Sequence, residues 1–400
     1  MTEKSLSANR KVTRLAVVTT HPVQYIAPWF RNLAVTAGID LQVIYFRELN
    51  PAAQGVGFGR SFQWDVPLRD GYRSESLQCG TSWLQLPKLA YRLLVALRAA
   101  RADAVLVTGW NEPGLLAAYP IARFCGARVL LRGESNNLRA RGPLATWVHR
   151  NIVRSADAIL TIGKANRAFY LGAGANKASL FPGAYFVESD RLVAMADAHA
   201  QDREAMRTSF GFESEDFVFT FCGKHVPFKR PIMLIEAAAR VRAKGAPVKL
   251  LIAGAGELTE ALKKRASDLA VPTAFTGFVN QSELWRAYVP ADAFVLPSTN
   301  RETWGLVTNE AMLFGLPAIV SDQVGCGPDL VRPGETGYVF SGESTDLAQA
   351  MERLITHGRT RMREMGQLAR QHVLVNYSMA NATTGLLAAL DAVAVDGARS

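Results

Sequence analysis

Two lysines, Lys224 and Lys229, and two glutamates, Glu302 and Glu310, are the residues of this chain best spaced for chemistry. The lysines lie in Gly223-Lys224-His225-Val226-Pro227-Phe228-Lys229-Arg230-Pro231, and the glutamates bracket the seven residues of Glu302-Thr303-Trp304-Gly305-Leu306-Val307-Thr308-Asn309-Glu310. Carboxylates accept hydrogen bonds from vicinal hydroxyls. A full helix of that separation spans roughly 12 Å, a reach that suits two hydroxyl-rich parts of one ligand, such as the sugar and the ribose of a nucleotide-sugar. Cations at a strand-to-helix turn make an anion site. A departing diphosphate needs its charge stabilised by a metal or by cations and helix-start amides. The chain has no Asp-x-Asp sequence and no His/Cys ligand cluster, so the metal-independent cation route is the expectation, with no cofactor. An isolated pair of glutamates at a helix start is equally what the helix dipole favours as solvated charge, whereas lysines there oppose the dipole.

The elements around these residues put them at one end of a sheet. Ala291 to Leu296 is a short apolar run closed by Pro297, which reads as a buried parallel strand. Beyond it, Leu306, Val307, Ala311, Met312 and Phe314 favour a helix that Gly315 stops, and Ala318 to Val320 starts the next strand. Glu302 therefore belongs to a loop and Glu310 to a helix. In open α/β sheets ligands bind in the crevice beyond the strand ends, where the amides of Gly305 and Leu306 can also donate to hydroxyl or phosphate oxygens. The lysines follow the strand Phe217 to Phe221 in the same way. Strand Val248 to Ala253 ends in Gly254-Ala255-Gly256, a pattern that serves either a nucleotide or a tight turn. Gly277-Phe278-Val279 follows another strand, and Phe278 reads equally as core or as ligand contact.

Four hundred residues with alternating short apolar runs and helical stretches suit two α/β domains. Strands are expected near Leu15 to Thr19, Leu41 to Phe46, Ala104 to Thr108, Arg128 to Leu131, Ala158 to Thr161 and Ser179 to Phe181, with a second series from Phe217. The expected division is an N-terminal domain over 1–190, a C-terminal domain over 191–375, and a helix over 376–400 that crosses back to the first domain. The net charge of +10 is uneven: residues 1–190 carry 23 Lys and Arg against 12 Asp and Glu, and residues 191–400 carry 22 against 23. Arg92, Arg98 and Arg101 interleave with Leu89, Tyr91, Leu93, Leu94, Val95 and Leu97. Arg139, Arg141, Arg150 and Arg154 accompany Leu144, Trp147 and Val148. Such helices either lie on an anionic bilayer surface or present a solvated basic face. Nucleic acid explains the charge less well, since no recognition motif accompanies it. No segment reads as the roughly 20 apolar residues of a spanning helix, and the first ten residues lack an apolar signal core. A cytoplasmic chain, peripheral at most on the inner face of the plasma membrane, is the expectation. Cys79, Cys125, Cys222 and Cys326 have neither paired spacing nor a metal pattern and read as reduced.

The run from Pro297-Ser298 through Glu302, Glu310-Ala311-Met312, Gly315-Leu316-Pro317 and Ser321-Asp322 to Gly337 resembles the donor motif of the retaining GT-B glycosyltransferases of family 4. The resemblance covers nearly the whole C-terminal half. It implies two Rossmann-like doubly wound domains facing a central cleft, with Glu302 on the transferred sugar, Glu310 on the ribose, and Lys224 and Lys229 as the diphosphate clamp. Gly223, Gly254, Gly256, Phe278, Val279 and the stretch Trp304 to Val307 would complete the donor site. The first strand ends in His21-Pro22-Val23-Gln24-Tyr25, which resembles the His-Pro-x-Gln-Tyr signature of a bacterial subgroup, where related enzymes often have a Gly-rich turn. His21 is then a candidate catalytic residue and Gln24 a candidate acceptor contact. A histidine that the family often places near Trp110-Asn111-Glu112-Pro113 is missing; Asn111 or Glu134 could stand in for it. The resemblance further implies transfer with retained configuration; a UDP- or GDP-sugar donor and a glycan or lipid-linked acceptor are the expectation, and the basic N-terminal half fits assembly of a cell-surface polysaccharide on a membrane-bound lipid carrier. A nucleotide-sugar epimerase of the same fold and a sugar-nucleotide-binding protein without turnover are the alternatives.

Overall fold

Unbroken runs such as Leu15-Ala16-Val17-Val18 and Leu250-Leu251-Ile252-Ala253 suit strands covered on both faces. The computed structural model, which describes residues 12–80 and 82–397, places both runs in interior strands of parallel sheets. The first sheet has seven strands: β1 (Thr13–Thr19), β2 (Ile39–Tyr45), β3 (Ser74–Ser76), β4 (Ala104–Val107), β5 (Arg128–Leu131), β6 (Ala158–Thr161) and β7 (Leu180–Pro182), in the order β3-β2-β1-β4-β5-β6-β7. The second has six: β8 (Phe217–Cys222), β9 (Val248–Ala253), β10 (Thr273–Gly277), β11 (Ala293–Leu296), β12 (Ala318–Ser321) and β13 (Gly337–Phe340), in the order β10-β9-β8-β11-β12-β13. Strand order reverses beside β1 in the first sheet and beside β8 in the second. Those are the switch points where a crevice opens beyond the strand ends. The first ten residues, read above for a signal core, and residues 398–400 of the C-terminal stretch lie outside the described residues.

The strands expected from the sequence are present, with ends shifted by a residue or two. The short strand β3 is additional: Ser74-Glu75-Ser76 has no apolar residue to announce it, because it lies at the sheet edge and pairs only with β2.

The chain packs as two units, one made of the residues up to Asn50, Pro67–Ala184 and those from Met379 on, the other of Pro51–Val66 and Tyr185–Ser378. An unbroken domain over 1–190 is therefore not what forms. The segment Pro51–Val66, which leaves the first sheet between β2 and β3, folds with the second unit. In the first unit the helix Met379–Gly397 is fastened by Trp29, whose Nε1 donates to Thr383 Oγ1 at 3.0 Å, and by Thr383 donating to Asn32 Oδ1 at 3.0 Å.

Among the described residues one stretch, Ser344–Ala394, is long and apolar enough to cross a membrane by length and composition, where the sequence reading found none. It is not one rod. Gly358 breaks it at φ 73°, and the helix Ser344–Asn376 ends before the helix Met379–Gly397 begins. Leu354, Met365, Ala369 and Val373 on the first helix and Leu386, Ala389 and Leu390 on the second are buried within the fold.

Gly385 lets the last helix approach the first sheet: a Cβ there would lie 1.6 Å from the carbonyl oxygen of Pro182. Gly385→Val should lower stability by about 1–3 kcal/mol, the usual cost of overpacking, read as a lower denaturant midpoint at unchanged slope.

Candidate active site

The second unit gathers its polar groups where β8 and β11 separate. After β8, Pro227–Lys229 form one tight helical turn and Arg230 takes a left-handed conformation, φ 49°, before the helix Pro231–Arg242. The Arg230 guanidinium then points across the strand ends. It donates to the carbonyls of Pro297 (2.6 Å), Ser298 (3.0 Å) and Gly342 (3.0 Å) and to Ser321 Oγ (3.1 Å). Arg230 thereby ties together the loops that leave β11, β12 and β13.

Lys229 Nζ forms an ion pair with Glu302 Oε2, the two side chains only 13% and 15% exposed. Ser298 Oγ donates to the same carboxylate oxygen at 3.3 Å. Glu302 stands in the loop after β11, with its amide donating to the Thr299 carbonyl, while Glu310 is wholly buried in the helix Leu306–Leu313. The phenol of Tyr288 donates to Glu310 Oε2 at 2.8 Å. Gly305 opens that helix at φ 95°, where a Cβ would meet Leu296 at 2.5 Å, so only glycine brings the helix start this close to β11. Lys224, beside Lys229, holds its proton less tightly than an ordinary lysine because of burial and the second cation. His225 is buried, with Nδ1 2.9 Å from Thr259 Oγ1, and burial holds its pKa down to about 4 against a smaller opposing effect of the Ala253 carbonyl. It is neutral at pH 7. This arrangement of two lysines beside the Glu302 carboxylate can bind a doubly charged leaving group and, next to it, hydroxyls.

A family model, "Glycosyl transferases group 1", matches residues 202–372, which span β8 to β13. The chain is 30% identical over 269 residues to the GDP-mannose-dependent alpha-(1-6)-phosphatidylinositol monomannoside mannosyltransferase of Mycolicibacterium smegmatis, an alignment covering 64% of this chain and 69% of that protein. The chain belongs to this glycosyltransferase family. It is also 35% identical over 205 residues to the D-inositol 3-phosphate glycosyltransferase of Rhodococcus erythropolis, over 49% of this chain and 46% of that relative, so the match spans less than half of the relative's length. The crystal structure of Anabaena HepE with UDP and glucose superposes with a TM-score of 0.70 at 15% identity, over 95% of this chain and 99% of that one, and shows the shared GT-B fold of two Rossmann-like sheets.

Several residues of this chain do something other than their types suggest. The ring of Trp304, expected at the donor, is buried: Nε1 donates to Asn309 Oδ1 at 2.9 Å and the ring packs on Tyr185 and Tyr377. Trp304 fixes the loop that carries Glu302 rather than presenting its ring. The amides of Gly223, Gly254 and Gly256 are spent on Ala253, Gly277 and Thr259 Oγ1. These glycines allow close packing of backbone, as at Gly254, where a Cβ would lie 1.9 Å from the Gly223 carbonyl. Val279 and Leu306 are buried, and Val307 is half-buried. Phe278 packs against Phe58 (5.0 Å between ring centroids), Phe62 (4.3 Å) and Trp64 (6.4 Å), all from the segment Pro51–Val66.

In the first unit His21 Nδ1 lies 2.8 Å from Thr20 Oγ1, and burial, with the charge of Arg47 next, lowers its pKa. Arg47 makes a two-pronged pair with Glu112 at 2.7 and 2.8 Å. Gln24 is half-buried, whereas Asn111 and Glu134 are exposed. Of the basic residues read as helix faces, Arg92 donates to the Leu77 carbonyl and Arg141 to those of Asn136 and Arg139, so both are occupied within the unit. Arg98, Arg101, Arg139, Arg150 and Arg154 are exposed, as are Trp83, Leu84, Tyr91, Leu144 and Trp147.

Tyr288 and Arg230 are the residues whose parts the sequence did not reveal. Tyr288 ends a short helix with no motif about it, and Arg230 follows Lys229 with nothing in the sequence to mark it as the tie between strand-end loops.

His225 supplies a pH dependence with a definite sign. Its folded pKa lies below the unfolded value of about 6.5, so the unfolded chain binds the extra proton first. The stabilisation is complete above about pH 6.5 and is lost as pH falls toward 4. His225→Gln should flatten the fall in stability between pH 6.5 and 4, by at most about 3 kcal/mol, measured by urea unfolding across that range.

Proposed function

We propose that the chain is a retaining glycosyltransferase that moves a sugar from a UDP- or GDP-sugar to a glycan or lipid-linked acceptor, in the assembly of a cell-surface polysaccharide. The observation that carries this reading is the ion pair of Lys229 with Glu302 at the second switch point, with Lys224 alongside. A nucleoside diphosphate arriving there would share Lys229 and Lys224, and Glu302 would be released to accept from hydroxyls of the sugar. Glu310, braced by Tyr288, is the partner proposed for the ribose. Substitution on the same face of the sugar, with the leaving phosphate helping to deprotonate the acceptor, requires stabilisation of the departing charge and no attacking carboxylate. The lysines and the helix start at Gly305 and Leu306 suit that route.

His21, Gln24, Asn111 and Glu134 are the proposed acceptor side, with His21 favoured as a neutral imidazole by its burial. Both relatives bear names that place a phosphorylated inositol in the acceptor, which supports an anionic acceptor here as well. The exposed Trp83, Leu84, Tyr91 and Trp147 among Arg98, Arg101, Arg150 and Arg154 support docking at an anionic membrane surface. Such docking gains about 1 kcal/mol per basic residue near the lipid.

Thermal stabilisation by UDP, GDP and their sugars, without added metal, tests the donor half of the proposal. One nucleotide series should raise the melting temperature of the wild type, and Lys229→Ala should abolish the shift. A wild type that responds to neither series would defeat it. With the nucleotide known, product from donor plus acceptor distinguishes transfer from epimerisation, which needs donor alone.

A further inference from the structure

The segment Pro51–Val66 touches three of the features assigned to the nucleotide, and does so from a distant part of the sequence. Lys224 Nζ donates to the carbonyl of Val56 at 2.7 Å and lies 5.1 Å from the centre of the Phe58 ring. Gly57, at φ 85°, packs on the stem of that lysine: a Cβ there would lie 2.9 Å from Lys224 Cδ. The same glycine's carbonyl faces the turn after β9, where a Cβ on Gly256 would lie 2.9 Å from it. Farther along, Phe58, Phe62 and Trp64 enclose Phe278, and Arg60 lies over the Phe278 ring at 5.2 Å. Two polar anchors complete the attachment. Asn280 Nδ2 donates to the Gln63 carbonyl at 2.8 Å, and the Ser282 amide donates to the Asp65 carboxylate at 3.2 Å.

We infer that this segment is a strap that positions Lys224 for the donor diphosphate, with Phe58 and Gly57 as its positioning residues. The inference rests on the reading of Lys224 as part of the phosphate clamp. Lysine is a flexible side chain with three N–H donors. One is taken by Val56, the stem is pinned by Gly57, and the face of Phe58 adds a contact that favours the charged form. Two donors remain for phosphate oxygens. The charged form needs that support, because burial and Lys229 both act to strip the proton from Lys224. The aromatic cluster around Phe278 supplies the rigidity: without it, the Val56 carbonyl would be on a free loop and could not fix an ammonium group. The strap thus keeps its hold on Lys224 while the diphosphate binds, whereas Glu302 is to release Lys229.

Titration calorimetry with UDP and GDP, and with UMP and GMP as controls, tests the coupling in the 400-residue chain. Phe58→Leu removes the ring face while keeping an apolar side chain, Gly57→Ala presses on the lysine stem from the other side, and Lys224→Met removes the cation. Each should weaken the bound diphosphate about tenfold and the matching monophosphate much less. In the Lys224→Met background, Phe58→Leu and Gly57→Ala should have no further effect, since the pathway from strap to phosphate has been cut. Additive losses, or losses equal for diphosphate and monophosphate, would overturn the positioning role. Tighter binding in either strap variant would overturn it too and identify the strap as a plug over the site. A wild type that binds a diphosphate while Phe58→Leu and Gly57→Ala leave its affinity unchanged would refute the strap alone; indifference of binding to Lys224→Met would refute the clamp together with it.

Discussion

Three positive charges lie within seven residues after β8, in surroundings that are largely shielded from water, and each must be given oxygen. Lys224 takes it from the strap, Lys229 from the loop after β11, and Arg230 from carbonyls of the β11 and β13 loops and a hydroxyl at the end of β12. Burying a cation without such partners costs several kcal/mol. Satisfying the charges therefore draws three separate stretches of chain toward one strand end. The electrostatic problem and the architecture of the site are the same fact seen from two sides. Arg230 takes part with a left-handed backbone, φ 49°, a conformation uncommon outside glycine.

The fold class was open to reading because parallel strands buried on both faces write themselves as apolar runs, and the glycines and prolines that end them are local signals. Both members of the Lys229 and Glu302 pair could be named for the same reason, as polar residues just past such a run. Their pairing could not, since it depends on which strands lie side by side, and β8 neighbours β11 only through a long crossover. The strap was illegible for a stronger reason. Pro51 to Val66 has no periodicity of its own, and its partners, Lys224, Phe278, Asn280 and Ser282, are more than 150 residues away along the chain. Trp304 misleads for the opposite cause: next to a catalytic-looking glutamate a tryptophan invites a ligand role, and only its indole hydrogen bond to Asn309 reveals that it is core.

The two units carry the same winding with different loading. Each places an arginine or lysine and a glutamate near its switch point: Arg47 with Glu112 in the first, Lys229 with Glu302 in the second. In the first unit the guanidinium fork matches the carboxylate at two points, which satisfies both and leaves neither easily displaced. In the second a single ammonium meets one carboxylate oxygen, an arrangement that a phosphate can take over without breaking a bidentate lock. Topology alone predicts no such difference. It comes from the choice of lysine over arginine in a loop, and it inclines the second unit toward exchanging its ion pair for a ligand.

That choice also bears on how the proposed transfer would run. A carboxylate that attacks a sugar carbon must present a free oxygen lone pair beneath it. Glu302 shares its Oε2 with Lys229 and Ser298, and a cation held against the carboxylate reduces its nucleophilicity. If a diphosphate took up Lys229, Glu302 would gain freedom to accept from a hydroxyl, while the lysine would turn to the group that must leave. Binding the donor would thus move positive charge from the orienting carboxylate to the departing phosphate, where it lowers the barrier rather than the energy of the ground state alone. On the proposed mechanism the ion pair would act as a holding position for the lysine, and the reaction would take its electrostatic advantage from giving that position up.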